Sequence, residues 1–486
     1  MDQTHLSQRV GTLIISITRM MKRAIFYLLL LFISVSISAQ EKDNTLTPEE
    51  FEQGWELLFD GITLNGWKAY NGDIPKSWSV RDNAIYCDGT KGNDLMTIEA
   101  FEDFDLTFMW RIPEKGNSGV IYRVREGMQW KQPYLTGAEY QIYGENENFS
   151  KTSVGSLYDV YPPSQEKKTN PAMEWNSGRI RIANGLITHW VNGTIVLQCQ
   201  TGFDDWKAKV ADSKWRDNPY FMKSPFGHID FQNHGSEVWY KNIKIRRVEG
   251  KSDPNFHLYL LVGQSNMAGR GKIDLLSTPN NLRILMLTEK NEWMIAKDPL
   301  HFDKPKVIGV GPGLSFAQEI LAIEKDKDVR IGLIPCAVGG TSIDMWQPGE
   351  DAYDGQYHPY DDTIERLHAA MQYGVVKGIV WHQGEGDSNV EKSKVYIEKL
   401  EKLITRFRDE IGNQEIPFVA GELGHYRENY KLINNELKKL PGTVPFSAVA
   451  TSEELTHNGD GTHLNSESAR ELGKRMAIEM MELQSK

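Results

Sequence analysis

The spacing of apolar residues in this chain changes near residue 250, and the two spacings predict two different folds. From about Trp55 to Val248, short runs such as "DLTFMWRI" and "SGVIYRV" alternate apolar and polar residues between Gly, Asn, Asp and Pro. A period of two is typical of strands with one buried face, so this half is predicted to be an all-β sandwich. The pairs Asn184-Gly185 and Asn192-Gly193 predict tight hairpins.

In the second half, apolar strands alternate with segments of helical period. Examples are "LYLLVGQ", "GLSFAQEILAIEK", "VRIGLIPCAV" and "DDTIERLHAAMQYG". This alternation predicts parallel strands joined by crossover helices in a doubly wound, three-layer α/β sheet. A chain of 486 residues exceeds one ordinary core. We therefore predict a first domain over residues 41–250 and a second over 251–486, with the boundary near Gly250 to Pro254 and no long linker.

The N-terminal segment "MMKRAIFYLLLLFISVSISAQ" has the layout of a secretory signal peptide. Lys22 and Arg23 precede an apolar run, and small residues follow it up to Ala39. We predict cleavage near Ala39 or Gln40, an upstream extension before Met20, and export to the periplasm or the medium. The alternative is a membrane anchor, which the shortness of the apolar run disfavours.

The charge and composition of the chain limit the classes of molecule that it is expected to bind. The net charge is -11 and no basic stripe is visible, which argues against nucleic acid. The 13 Trp, 19 Tyr and 18 Phe suffice for large cores and for sugar platforms. Three cysteines, Cys87, Cys199 and Cys336, are too few for a disulfide-stapled fold, although pairing of Cys87 with Cys199 stays open.

Ser265 lies just past the end of the first predicted parallel strand, in "LLVGQSNMAGRG". Ligands of such sheets bind outside the carboxyl ends of the strands. A serine is a good nucleophile only beside an imidazole that is held by a carboxylate. Asp460 and His463 are three residues apart in a glycine-containing loop before the last helix. We predict that Asp460 reaches Nδ1 of His463 and leaves Nε2 for Ser265; the alternative for this loop is a solvated turn.

Two further strand ends carry possible oxyanion donors. Gly339 and Gly340 follow one strand, and Gln383 follows the next in "VWHQGEGDS". We predict that the N–H groups of Ser265 and Gly340 and the amide of Gln383 form an oxyanion hole.

The second of these strand ends is also rich in acidic residues. Glu385 is an alternative to Asp460 as the acid that orients the histidine. A metal site at His382, Glu385 and Asp387 is a further alternative, which their spacing disfavours. The proposed serine chemistry requires neither a metal nor a cofactor.

Five motifs of the second half, over residues 256–484, resemble the SGNH hydrolases of the sialate O-acetylesterase and acetylxylan esterase branch (carbohydrate esterase family six). They are G-Q-S-N-M at 263–267, "GPGLSFA" at 311–317, "GGTSI" at 339–343, W-H-Q-G-E at 381–385 and D-G-T-H-L at 460–464. The resemblance implies a flavodoxin-like sheet, Ser265 as nucleophile, His463 as base, Asp460 as its acid, and Gly340 and Gln383 in the oxyanion hole. The wider superfamily has Asn where this chain has Gln383. In this branch the Glu of Q-G-E is also a proposed triad acid, which keeps Glu385 in consideration.

The first half resembles the 3-keto-disaccharide hydrolase domain through "WELLFDGITLNGWKAY", "GAEYQIYG" and "GHIDFQNHGSEVWYKNIKIRRV". The resemblance implies a concanavalin-like jelly roll. Glu139 and Gln141 share a strand face, and Glu139 is the best candidate for an acid or sugar ligand, with no convincing second carboxylate. Polar residues expected on the concave face are Arg123, Glu139, Gln141, Tyr158, Asn176, His189 and His234.

These observations predict an exported carbohydrate esterase that removes O-acetyl groups from a glycan and carries a sugar-binding or glycoside-cleaving jelly roll. One alternative is a glycosidase-type enzyme in which the jelly roll performs the main chemistry. The other is a non-catalytic glycan-binding protein with a decayed esterase half, which would be favoured if Ser265, His463 and both candidate acids lay too far apart to contact one another. The sugar and the oligomeric state are left open.

Overall fold

The computed structural model describes residues 42–72, 75–144, 149–248, 250, 252–278 and 281–485. The predicted signal peptide and its upstream extension lie outside these ranges. Leu46–Lys486 forms one compact unit. No helix within the described ranges is long and apolar enough to cross a membrane.

The first half is a sandwich of two antiparallel sheets. One sheet has the order β11-β10-β9-β6-β13-β4-β3, with β1 also paired to β13, and the other has the order β2-β5-β12-β7-β8. The elements are α1 Pro48–Glu52, β1 Trp55–Leu57, β2 Trp67–Ala69, β3 Trp78–Arg81, β4 Ala84–Asp88, β5 Leu95–Phe101, β6 Phe104–Arg111, β7 Asn117–Val124, β8 Ala138–Tyr143, β9 Asn176–Ala183, β10 Leu186–Val191, β11 Thr194–Gln200, α2 Asp204–Ala211, β12 Gly227–Phe231 and β13 Glu237–Arg247.

The alternating pattern has the predicted consequence for packing. In β6, every second residue from Phe104 to Trp110 is at most 2% exposed and packs between the sheets. Asn184-Gly185 and Asn192-Gly193 form the tight turns of the β9–β10 and β10–β11 hairpins, with φ between 47° and 78°. These values are those of the turn type that matches the strand twist. The all-β sandwich and both hairpins are therefore confirmed.

The second half is a seven-stranded sheet of order β16-β15-β17-β14-β18-β19-β20, parallel except for β16. Its elements are β14 Asp253–Gly263, α3 Ser265–Ala268, β15 Ile284–Leu287, β16 Trp293–Ile295, α4 Gly313–Ile323, β17 Arg330–Pro335, α5 Pro359–Met371, β18 Gly374–His382, α6 Val390–Ser393, α7 Tyr396–Ile411, β19 Phe418–Gly421, α8 Tyr430–Leu437, α9 Leu440–Thr443, β20 Ser447–Ala450 and α10 Ser466–Gln484.

Helices cover both faces of this sheet, as predicted for a three-layer α/β fold. Leu260 of β14 belongs to the core formed with α5, α7 and α8, whereas the next residue, Leu261, belongs to the core formed with α4 and α10. A strand that is buried on both faces has a continuous run of apolar residues, which explains why the stretch "LYLLV" of β14 has no polar alternation.

The two halves meet at a buried ion cluster. Asp253, the first residue of β14, accepts hydrogen bonds from the guanidinium groups of Arg330 and Arg181. Arg330 also donates to Gln198 of β11 at 2.7 Å and to Thr188 of β10 at 3.1 Å. Burial would raise the pKa of Asp253, but the two arginines outweigh it and lower that pKa. The sandwich and the α/β sheet are thus joined by buried charge as well as by chain.

The three cysteines, Cys87, Cys199 and Cys336, are free thiols, and all three are buried. Cys87 and Cys199, whose pairing the sequence left open, are therefore not joined in this structure.

Candidate active site

The predicted catalytic residues lie at the carboxyl ends of neighbouring parallel strands. Ser265 follows β14, Gly340 follows β17, and Glu385 follows β18, while Asp460 and His463 are in the loop between β20 and α10. The strand β14 has β17 on one side and β18 on the other, so the chain direction across the sheet reverses around it. Such a switch point leaves a crevice in which ligands bind.

The end of β14 is shaped by a glycine. Gly263 has φ 131°, and a Cβ atom at this position would lie 2.1 Å from the carbonyl oxygen of His382. At this position the backbone of β14 therefore approaches β18 more closely than any residue other than glycine would allow. Ser265 follows two residues later as the first residue of the short helix α3 and is 7% exposed.

His463 links Ser265 to Asp460. Its Nε2 atom lies 3.0 Å from the Ser265 Oγ atom, and its Nδ1 atom lies 2.6 Å from Asp460 Oδ2. An acceptor-only carboxylate at Nδ1 holds the ring proton there and leaves the Nε2 lone pair facing the hydroxyl.

The environment of Asp460 keeps its carboxylate ionised. Its Oδ1 atom accepts the backbone N–H groups of Thr462 and His463, each at 2.8 Å. Burial, which raises the pKa of Asp460, is outweighed by hydrogen bonds from the backbone and the ring of His463 and from the Thr462 N–H, and the pKa falls to about 2.

The loop after β17 is held rigidly beside Ser265. The Gly339 N–H donates to Asp303 Oδ2 at 2.8 Å, and the same oxygen accepts Arg270 Nη2 at 2.8 Å. The Tyr353 hydroxyl donates to the Gly339 carbonyl. Among the described residues, no acceptor is found for the Gly340 N–H. Ser265 is the first residue of helix α3, so its N–H has no hydrogen-bond partner within that helix.

Gln383 does not reach this crevice, which corrects its predicted role as an oxyanion donor. It is fully buried, and its amide nitrogen donates to the Thr341 carbonyl at 3.0 Å and to Asp387 Oδ2 at 2.7 Å. Its amide oxygen accepts the Tyr396 hydroxyl at 3.0 Å. Both amide hydrogens are therefore committed to holding neighbouring loops.

Glu385 faces a different partner from the one considered for it. Its side chain is 6% exposed, and Oε1 accepts Asn266 Nδ2 at 2.6 Å. The same oxygen lies 3.8 Å from His382 Nδ1. Within the described residues, Glu385 makes no hydrogen bond or ion pair with His463.

The alternative of a metal site at His382, Glu385 and Asp387 finds no matching geometry. His382 Nε2 donates to the Glu422 carbonyl at 3.1 Å, and Asp387 Oδ2 accepts the Ile343 N–H at 2.9 Å. Across the described ranges, no group of three or more His, Cys, Asp or Glu residues is arranged to hold a metal ion.

Ser265 opens into a cavity of about 400 Å³ whose wall is rich in cationic groups. Lys304 donates to the Tyr353 hydroxyl at 2.8 Å, and Arg427 donates to Thr462 Oγ1 at 3.0 Å. Neither makes an ion pair with a described residue. The cavity is lined by Gln264, Ser265, Arg270, Lys304, Val307, Gly339, Gly340, Glu385, Gly386, Arg427, Tyr430, Thr462 and His463.

A second polar cleft, of about 310 Å³, lies on the five-stranded sheet of the sandwich. Glu139 and Gln141 of β8 line it, as does His234. Gly119 on the adjacent strand makes room for Glu139, because a Cβ atom there would lie 2.4 Å from Oε1 of Glu139. Burial raises the pKa of Glu139 to about 8, so the carboxyl holds its proton at neutral pH. The complete lining is Asn117, Tyr134, Glu139, Gln141, Tyr158, Lys214, Trp215, Gln232 and His234.

Two carboxyl groups beside this cleft were missed in the sequence. Asp230 of β12 and Glu139 lie on the same sheet face, each opposite Ile121 in the strand register. Asp230 is fully buried, and burial together with the charge of Asp94 raises its pKa. Burial likewise raises the pKa of Asp94, to about 7. For Asp230, the period-two spacing with Gln232 and His234 in "IDFQNH" was the available signal.

Arg123, His189 and Asn176 do not line the cleft, which corrects the prediction for them. Arg123 is buried against Asp103, with Nη2 at 3.0 Å from Oδ1. His189 lies between the sheets, where Nδ1 donates to the Gly155 carbonyl at 3.1 Å and the Tyr122 hydroxyl lies 3.0 Å from Nε2.

The surroundings of these residues explain why they are not ligands. Burial lowers the pKa of His189 to about 4, so this histidine is neutral. Asn176 is buried and accepts the Asn170 N–H at 2.7 Å, which fixes a turn.

Comparison with known proteins assigns both halves. Residues 255–482 match the family model described as carbohydrate esterase, sialic acid-specific acetylesterase. Residues 54–246 match the model of a 3-keto-alpha-glucoside-1,2-lyase-like domain.

Individual relatives agree with the two models. A 3-keto-disaccharide hydrolase of Bacteroides thetaiotaomicron is 28% identical, over 44% of this chain and 84% of its own length. A protein of Arabidopsis thaliana named a probable carbohydrate esterase is 31% identical, over 47% of this chain and 92% of its own length. Its crystal structure aligns with a TM-score of 0.43 and 28% identity, over 47% of this chain and 99% of that one. The chain therefore belongs to the family of sialic acid-specific acetylesterases, is a carbohydrate esterase, and carries a 3-keto-disaccharide hydrolase-like domain in its first half.

Proposed function

We propose that the α/β half removes O-acetyl groups from a glycan through an acyl-enzyme on Ser265. His463 Nε2 takes the Ser265 proton as Oγ attacks the acetyl carbon and the carbonyl electrons move to oxygen. The tetrahedral intermediate collapses, and His463 returns the proton to the sugar oxygen that leaves. Water, deprotonated by His463, then attacks the acyl carbon. The bond from that carbon to Ser265 Oγ breaks as His463 returns the proton to Oγ, and the acetic acid that is released ionises to acetate.

The observation that carries this proposal is the relay of two short contacts, 3.0 Å from Ser265 Oγ to His463 Nε2 and 2.6 Å from His463 Nδ1 to Asp460. A hydroxyl at hydrogen-bond distance from a base, whose own orientation a carboxylate fixes, is the arrangement that serine nucleophiles need. With a pKa of about 2, Asp460 remains charged and stabilises the imidazolium that forms.

The N–H groups of Ser265 and Gly340 are the proposed oxyanion donors. Both residues line the cavity, and the glycine loop is fixed from both sides by Asp303 and Tyr353. Donors that are fixed before the reaction need no reorganisation as charge develops on the oxygen, and each contributes about 10²–10³ in rate.

The charge of the cavity favours an acidic glycan. Lys304 and Arg427 line it without a carboxylate partner among the described residues. A sugar carboxylate next to the acetylated position would supply that partner. Sialic acid and pectin carry such a carboxylate and xylan backbone residues do not, so we propose the acidic sugars as the substrate class. The signal-like pattern of residues 22–39 supports the further proposal that the protein is exported.

Acetate release tests the esterase. Wild type and Ser265→Ala are compared on 4-nitrophenyl acetate and on O-acetylated sialic acid, pectin and xylan. We expect release by wild type and a loss of at least about 10³-fold in the variant. Wild-type rates in Ser265→Ala would reject the nucleophile, and no release by wild type from any substrate would reject the activity.

A charge-removal variant tests the substrate class. Lys304→Gln with Arg427→Gln is expected to raise KM for acetylated sialic acid by about tenfold and to leave KM for acetylated xylan within about twofold. The matched control is Lys431→Gln, an exposed lysine on α8 paired with Glu428. An equal change on both substrates would reject recognition of a sugar carboxylate.

The cleft of the sandwich supports a second function, cleavage of a 3-keto-sugar. The supporting observation is the buried Glu139, which at neutral pH can donate its proton to a leaving oxygen. Incubation with an α-linked 3-keto-disaccharide, followed by sugar analysis, tests it. Products from wild type and from Ser265→Ala alike, but not from Glu139→Gln, would support catalysis in the cleft. Binding without products would leave the cleft as a sugar-binding site.

A further inference from the structure

We propose that Glu385 is a positioning residue, which acts through Asn266 on the loop that carries His463, and that it is not the acid partner of the imidazole. This inference rests on the proposed esterase function, since it assigns a role within the same site. It concerns the second carboxylate that the motif W-H-Q-G-E brings to the crevice.

The imidazole has no nitrogen left for Glu385. His463 Nε2 faces Ser265 at 3.0 Å, and Nδ1 faces Asp460 at 2.6 Å. An imidazole has two ring nitrogens, and each makes one hydrogen bond in the plane of the ring. Glu385 could orient this ring only by displacing Asp460, which two backbone N–H groups hold in its own loop.

Asn266 connects the serine loop to the histidine loop. Its Nδ2 atom donates to the Thr462 carbonyl at 3.2 Å, and its Oδ1 atom accepts the Leu464 N–H at 2.9 Å. These are the backbone groups on either side of His463. The amide orientation is determined by this pair, because a carbonyl only accepts and an N–H only donates.

Glu385 accepts a hydrogen bond from the remaining N–H of the Asn266 side-chain amide. The contact from Nδ2 to Oε1 is 2.6 Å long, and both side chains are buried. A hydrogen bond to a carboxylate is stronger than one between neutral groups. The carboxylate therefore fixes the plane of the amide, and the amide fixes the backbone of the histidine loop.

The arrangement explains why the residue after the nucleophile is an asparagine. Ser265 and His463 are 198 residues apart in sequence, and nothing covalent sets their separation. Asn266 is the residue next to Ser265, and its hydrogen bonds to the residues on either side of His463 fix the separation of the two loops. A displacement of about 1 Å between reacting groups can cost about 10² in rate, so this clamp has a direct effect on catalysis.

Variants of Glu385 and Asp460 separate the two roles, measured as kcat and KM on 4-nitrophenyl acetate. In Glu385→Ala we expect kcat to fall about 10²-fold at nearly constant KM. Glu385→Gln keeps an oxygen that can accept from Asn266, and its kcat is expected within about tenfold of wild type. Asp460→Asn removes the acid of the relay, and its kcat is expected to fall about 10⁴-fold.

A double-mutant comparison tests the path through Asn266. If Glu385 acts through the amide, Glu385→Ala adds less than about threefold to the loss already caused by Asn266→Ala. Thermal melting of each variant identifies any that fail to fold. If the alanine variants fail to fold, Glu385→Gln still tests the inference, because it preserves both the shape and the hydrogen-bond acceptor of the side chain.

Three outcomes would overturn the inference. They are a kcat for Glu385→Gln as low as that of Asp460→Asn, additive losses for Glu385→Ala and Asn266→Ala, and equal loss in Glu385→Ala and Glu385→Gln. Failure of the esterase proposal is recognised separately, because Ser265→Ala would then match wild type whatever Glu385 does.

Discussion

The two polar sites of this molecule use carboxyl groups in opposite ways. In the α/β half, Asp460 has a side chain 44% exposed and a pKa of about 2. In the sandwich, Glu139 is 5% exposed and has a pKa of about 8. One group holds a negative charge against an imidazole, and the other holds a proton at neutral pH.

The architecture explains the difference. Asp460 lies in a loop between a strand and a helix. The backbone N–H groups of this loop are not engaged in a strand or helix, and two of them donate to Asp460 Oδ1. Glu139 lies on the face of a sheet, where the neighbouring N–H groups are engaged in the strand ladder and cannot reach a side chain. The nearby charge of Lys214 and a hydrogen bond with Gln232 offset only part of the cost of desolvating Glu139, so its neutral form is favoured.

The largest expected effect comes from removing the charge of the loop carboxylate. Asp460→Asn keeps the shape of the side chain but cannot hold the imidazole with its proton on Nδ1 as a carboxylate does. We expect a fall in kcat of about 10⁴-fold for 4-nitrophenyl acetate with little change in KM. The matched variant is Glu453→Gln, an exposed carboxylate just after β20. A loss under tenfold in Asp460→Asn would contradict the relay.

The second prediction concerns whether the two regions are stable independently. Arg330→Ala leaves Asp253 with one arginine, removes the hydrogen bond that Thr188 Oγ1 accepts, and leaves Gln198 Oε1 with the Thr188 hydroxyl as its remaining donor. We expect the free energy of unfolding to fall by about 3–5 kcal/mol, measured by urea denaturation. The control Arg247→Ala removes surface ion pairs and is expected to cost at most about 1 kcal/mol. Similar costs for both variants would show that the cluster does not stabilise the junction.

The sequence was sufficient to predict both folds and the convergence of Ser265, Asp460 and His463. Spacing of apolar residues determines strand and helix faces, and parallel strands bring their carboxyl ends to one edge whatever their separation in sequence. The motif order therefore placed the serine, glycine and histidine loops correctly.

The direction of individual polar side chains was not predictable in this way. Gln383 turns toward Tyr396 and Thr341, and these partners come from elements that no local pattern relates to it. His189 was expected in the cleft, but it lies on the other sheet with its ring in the core. Period-two spacing shows which residues share a face; it does not show which face is the cleft.

The third prediction probes the rigidity of the glycine loop. Gly340 has φ +83°, and a Cβ atom there would lie 2.4 Å from the Tyr353 hydroxyl. Gly340→Ala should displace the N–H proposed to stabilise the oxyanion and lower kcat by about 10²-fold. Gly349→Ala is the matched control, since its φ is +78° and no atom lies within 4 Å of the added methyl. Equal activity of the two variants would indicate that the Gly340 N–H is not a donor.

The smallest effect is the pH dependence of the sandwich cleft, read as cleavage of an α-linked 3-keto-disaccharide. Because burial raises the pKa of Glu139, the group is protonated below about pH 8 and loses its proton above it. Cleavage that needs this proton should be constant near neutral pH and fall about tenfold per pH unit above pH 8. Glu139→Gln cannot donate a proton, so its residual rate should lack that fall, whereas Glu114→Gln, an exposed control, should keep it. A decline centred near pH 4–5, the ordinary range of a carboxyl, would mean that the cleft hydrates Glu139 and that the contrast with Asp460 is one of position rather than of proton affinity.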